Sequence, residues 1–159
     1  MQAGLGYSTF AIEELAIRVL LALLFGFVLG VDRELRGISA GLRTHALVCT
    51  SSAVITISAL DLYLNVRAHG GDADPLRVIQ GLAQAIGFIA AGAIFVSRGR
   101  VQNLTTAANV WLTTGVGIAV GAGQYRLAVV ATVAGVLIVS VIRVLEHYLP
   151  AASRHSDPE

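Results

Sequence analysis

The sequence predicts an all-α, polytopic membrane protein with five transmembrane helices, its N-terminus outside and its C-terminus inside. Three observations carry that reading. Five apolar stretches are each about long enough to cross a hydrocarbon core of about 30 Å at about 1.5 Å per helical residue. Of the 159 residues, 55% are hydrophobic and 13% charged, with a mean hydropathy of +0.75, a balance outside the range of water-soluble domains. All eleven basic residues are arginines, and they divide unequally among the connecting loops.

The first span is expected over Leu15 to Val31. The residues before it carry Glu13 and Glu14 and no basic residue, so they lack the basic start of a secretory signal, and the span is expected to persist as a helix. Arg18, near its outer end, is expected to snorkel toward water. The second span, Leu47 to Leu64, holds Cys49, the sole cysteine, which reads as a small buried hydrophobe. The third runs from Val78 to Ser97. Asn103 is the expected N-cap of the fourth, Leu104 to Gly121, and the fifth covers Leu127 to Ile142. Residues 1–149 thus make one transmembrane domain, and 150–159, rich in Pro, Ser and charge, a short disordered cytoplasmic tail.

The orientation follows from the arginines. With the N-terminus outside, Arg33, Arg36, Arg43, Arg98, Arg100, Arg143 and Arg154 fall on the inner face, against Arg67, Arg77 and Arg126 outside. Two inner loops then meet at one membrane face: Asp32-Arg33-Glu34 through Arg43-Thr44-His45, and Arg98 to Asn103. Spans two and four begin there, so their N-terminal dipoles point to the same side as a net positive side-chain charge. That face suits an anion, a phospholipid headgroup or an acidic partner better than a bare divalent cation, and no carboxylate lies near the middle of any span. No metal site is assigned.

Asp32, Arg33, Glu34, Arg43, Thr44, His45, Thr105 and Thr106 are therefore the candidate functional residues of the inner face. Burial of Arg43 and His45 would demand partners, with Glu34 or Asp32 the nearest. Thr105, Thr106, Asn109 and Trp111 could line a polar seam, extended from the outer side by Gln80 and Gln84 one turn apart. Small residues four apart, Gly26/Gly30, Gly87/Ala91 and Gly117/Gly121, with Gly92 and Gly81/Ala85 beside them, predict close helix packing. Homo-oligomerisation through one of these faces is the alternative.

Asp32-Arg33-Glu34, Ala40-Gly41-Leu42-Arg43-Thr44-His45-Ala46-Leu47-Val48, Asp74-Pro75-Leu76-Arg77 with Gln80-Gly81, Gly87 to Gly92, Leu104-Thr105-Thr106-Ala107-Ala108, and Trp111 with Gly117, Gly121 and Gly123 resemble, in that order, the MgtC/SapB family of bacterial inner-membrane proteins. Asp32 stands where the family often has Glu, and Ala85, Ala90 and Asn103 where it often has Gly. The likeness is to a short form, without the C-terminal cytoplasmic domain of longer members.

The resemblance implies a five-helix protein linked to magnesium limitation, acid stress and, in pathogens, virulence, with the F-type ATP synthase as a partner in some members. The older family label is magnesium transporter. No Ser/His/Asp set, metal triad or phosphate loop is present, so the chain is expected not to be an enzyme. A regulatory protein without a cofactor is the leading expectation. A transporter or channel for magnesium or an anion is the second. The bilayer is its expected surrounding, and nothing in the charge pattern calls for nucleic acid.

Overall fold

The computed structural model describes residues 9–97 and 99–148, with side chains through Val141. Its five helices are α1 (Ile12–Leu35), α2 (Leu42–Ala68), α3 (Leu76–Ala93), α4 (Leu104–Gly121) and α5 (Tyr125–Tyr148). The first four are each long and apolar enough to cross a membrane, and α5 carries a shorter apolar run, Tyr125–Val141. The chain is an all-α, polytopic membrane protein. Arg98, the side chain of Arg143, Arg154 and the tail 150–159 lie outside the described residues.

The third expected span ends four residues early. Helix α3 stops at Ala93, and Phe95–Ser97 (β1) pairs antiparallel with Arg100–Gln102 (β2) in a small hairpin. Val96 and Val101 favour extended backbone, and Gly99 supplies the positive φ of +73° at the turn. Asn103 follows with φ +66°, and its side chain does not cap α4. Its Nδ2 instead donates to the Ala93 carbonyl at 3.1 Å, tying the start of α4 to the end of α3 across the hairpin base. The left-handed backbone explains why Gly or Asn suits this position.

Helix α4 is the central strut, with 61% of its span buried against 28% for α1 and α2 and 11% for α3. Two glycine pairs set how closely the inner helices approach. A Cβ on Gly26 would lie 2.6 Å from the His45 carbonyl oxygen, and one on Gly121 2.6 Å from that of Ala53, so α1 and α4 both press against the backbone of α2. Gly30 and Gly117 sit at the same seams. The stripe on α3 behaves differently. Gly81, Gly87 and Gly92 would each accept a Cβ without contact, and Ala91 is exposed, because α3 meets α4 through the opposite edge that buries Ile86 and Ala90. These α3 residues therefore do not mediate packing within the chain.

Candidate functional site

The Asp32-Arg33-Glu34 run ends α1, and each side chain takes a separate task. Asp32 pairs with Arg36 one turn on. Glu34 Oε2 accepts the Leu42 backbone N–H at 2.9 Å, placing a carboxylate at the N-terminus of α2, where the free N–H groups and the helix dipole favour negative charge. A Cβ at Gly41 would overlap that carboxylate, so a larger residue there would push Glu34 off its cap. Arg33, 2% exposed, turns inward. Its Nε donates to the Ala40 carbonyl at 3.1 Å and its Nη2 to the Ser39 carbonyl at 3.2 Å and to Thr106 Oγ1 in the first turn of α4. One guanidinium thus holds the α1–α2 turn against α4.

One turn deeper, His45 is fully buried. Gly41 offers only a carbonyl, so His45 Nδ1 donates to it at 2.9 Å, and Nε2 accepts from Asn109 Nδ2 at 2.9 Å. The same Asn109 nitrogen reaches the Leu29 carbonyl at 3.5 Å. Asn109 of α4 therefore bridges α1 and α2. Ser52, Thr56, Thr113 and Thr114 continue a buried polar line, each hydroxyl donating to the carbonyl four residues back in its own helix.

The expected site is brought together in part. Arg33 and Thr106 meet, and His45 meets Asn109. The expected pairing of Arg43 and His45 with Glu34 or Asp32 is replaced: His45 bonds Gly41 and Asn109, Glu34 caps α2, and Arg43 is exposed. Thr105 is exposed and Thr44 half-buried. Gln80, Gln84 and Trp111 do not join the seam. All three are exposed, because they lie on the faces of α3 and α4 turned away from α2. Beside Asp32, a crevice of about 160 Å³ runs between α1, α4 and α5, lined also by Asn109 and Ser140.

At the opposite end of the bundle lies a latch that the sequence reading missed. Arg18 does not snorkel. It is buried, donates through Nη1 to the carbonyl of Gly121, the last residue of α4, pairs with Glu14 through Nη2, and stacks 4.6 Å from the Phe10 ring centroid. The four-residue spacing of Glu14 and Arg18 was the signal available in the sequence. No group of three His, Cys, Asp or Glu side chains suited to a metal is found among the described residues.

Residues 19–148 match the profile of the MgtC family. The putative magnesium transporter YhiD of Escherichia coli K12 is 35% identical over 144 residues, covering 89% of this chain and 66% of its own. Protein MgtC of Salmonella typhimurium is 35% identical over 117 residues, covering 74% of this chain and 47% of its own. An uncharacterised protein of Haemophilus influenzae is 38% identical over 120 residues, 73% of this chain and 50% of its own. The chain spans about half to two thirds of the length of these relatives. No solved structure matches it. With five helices, the Arg33 and His45 contacts on its shared motifs, and a profile match over most of its length, the chain belongs to the MgtC family.

Proposed function

We propose that the chain is a non-enzymatic regulatory protein of the bacterial inner membrane that acts by contacting a membrane partner under magnesium limitation or acid stress. In pathogens this role would bear on virulence. The F-type ATP synthase is the candidate partner, and an N-out, C-in orientation puts the Arg33 end at the cytoplasm. The observation that carries the reading is the closure of that end. A buried guanidinium and the His45–Asn109 bridge occupy the polar interior with bonds between helices, while Arg36 and Arg43 remain exposed beside them. A fixed positive charge at the entrance disfavours passage of a cation. Arg43, exposed and outside the Asp32–Arg36 pair, suits an acidic contact.

ATP-driven proton pumping in inverted bacterial membrane vesicles tests this, with wild-type protein, the Arg43→Ala variant or neither at matched expression. Selective slowing by the wild type, reduced in the variant, is expected. Equal pumping in all three counts against the regulatory reading.

Transport is the second reading, supported by the transporter name of the Escherichia coli relative and by the crevice that Asp32 and Asn109 line. Saturable magnesium entry into proteoliposomes, weakened by Asp32→Asn, would favour it. Self-association through the open α3 face belongs to the same proposal, and the mass of the detergent-solubilised protein tests it.

A further inference from the structure

The β1–β2 hairpin is the one described element outside the helices with paired strands, and its apolar side chains are exposed. Val96 and Val101 are directly opposed in the ladder, so their side chains share one face, and they are 70% and 54% exposed. Ser97 and Arg100, the pair nearest the turn, point to the other face, as do Phe95 and Gln102 at the base, where Phe95 is 53% exposed. Arg100 is exposed and forms no ion pair among the described residues. The hairpin therefore carries valines on one side and, on the other, a guanidinium beside the turn with the apolar Phe95 at the base, next to the end of α3.

Its position restricts what can cover the valines. Ile94 alone separates β1 from the end of α3, and Asn103 alone separates β2 from the start of α4. Both helices are long and apolar enough to span a membrane. Each strand has three residues, a reach of about 10 Å at about 3.3 Å per residue. The Asn103–Ala93 bond clamps the base, so the hairpin cannot swing clear on a flexible tether. It is held where two apolar helices of membrane-spanning length end and begin.

We propose that the hairpin is an interfacial membrane anchor, with Val96 and Val101 seated among acyl chains at the bilayer surface and Arg100 on the phosphate of acidic phospholipids. An apolar side toward the chains and a cation at headgroup level is the arrangement that amphipathic interfacial segments adopt. The consequence reaches the candidate site. Thr106, the acceptor of Arg33, lies four residues after Gln102, so the depth at which the hairpin rests fixes the depth of the Arg33 latch.

Site-directed spin labelling of the full chain in vesicles tests the assignment. Cys49 is fully buried, so labels go to the introduced cysteines of Val96→Cys, Val101→Cys and Ser97→Cys. Labels at Val96 and Val101 are expected to be several-fold more accessible to oxygen than to a water-soluble nickel chelate, and the label at Ser97 the reverse. Adding phosphatidylglycerol to phosphatidylcholine vesicles is expected to deepen the Val96 label, and Arg100→Gln to abolish that shift. Nickel-accessible labels at Val96 and Val101 in both vesicle types overturn the lipid contact. A Val96 depth indifferent to phosphatidylglycerol overturns the acidic headgroup.

Discussion

Replacing Arg33 by methionine keeps an unbranched stem and removes the guanidinium that joins three segments. The structure gives it two bonds to carbonyls, at 3.1 and 3.2 Å, and one to a hydroxyl. A bond from a charged donor contributes about 1.5 kcal/mol at the lower end of the usual range, so the three contribute about 4.5 kcal/mol. Against this stands the cost of keeping a guanidinium 2% exposed, which methionine relieves by about 2 kcal/mol after relaxation. The net loss is about 2 to 3 kcal/mol. Reversible unfolding in mixed micelles measures it for wild type, Arg33→Met, Thr106→Val and the double variant. Arg33→Lys keeps the charge without the planar fork and is expected to lose about half as much. A coupling of about 1 kcal/mol is expected between Arg33 and Thr106. If Arg33→Met unfolds within about 0.5 kcal/mol of wild type, or the two substitutions simply add, the latch contributes nothing of the kind described.

Two further substitutions address the seams. Asn109→Leu strips the donor from His45 Nε2 and leaves a buried acceptor unsatisfied, an expected loss of about 1 to 3 kcal/mol in the same unfolding assay. Equal stability would mean that His45 finds another donor. Gly121→Leu places carbon where the Ala53 carbonyl already sits and is expected to cost about 3 kcal/mol or block folding, read by yield and melting temperature. Gly81→Leu on α3 meets nothing and is expected within about 0.5 kcal/mol of wild type. Similar losses at the two positions would refute the distinction drawn between the α4 and α3 stripes.

Helix count and type were legible because hydrocarbon length and hydropathy act on long windows, where single residues weigh little. The hairpin was not, since six apolar and polar residues continuing an apolar run give no period of their own, and Gly99 was the one local sign. At the site, the residues that shared a motif were found, but their partners depended on direction. Arg33, in the last turn of α1, points inward to Thr106, whereas Arg36, the cap residue just past the helix end, turns back to Asp32. Arg43, in the first turn of α2, was indistinguishable by composition from a buried cation. Its exposure is set by which face of α2 meets α1 and α4, and that face is fixed by Gly26, Gly30, Gly117 and Gly121 together. Gln80, Gln84 and Trp111 failed to join the seam for the same reason: polarity marks a residue, and helix rotation decides where it points.

Helix α1 holds both ends of α4. Arg18 binds the Gly121 carbonyl at the C-terminal end, where a cation complements the helix dipole, and Arg33 binds Thr106 at the N-terminal end. The two arginines are fifteen residues apart, about 22 Å along the axis, so they share no partner. Independent sites at that separation add within about 0.5 kcal/mol. Arg18→Gln and Arg33→Gln, singly and together, are therefore expected to unfold additively if α4 is a passive strut. A regulatory protein that passes a signal across the bilayer needs more than this. It requires α4 to occupy two discrete placements against α1, each end biasing the other. Coupling well above 0.5 kcal/mol would reveal such a two-state strut. Amide exchange separates the cases: a passive strut loosens only the turn beside the substituted arginine, whereas a two-state strut loosens Leu104 to Ala107 when Arg18 is replaced. Additive energies with exchange confined to the near turn would leave α4 as a scaffold and, under the regulatory proposal, move the partner contact to the exposed Arg43.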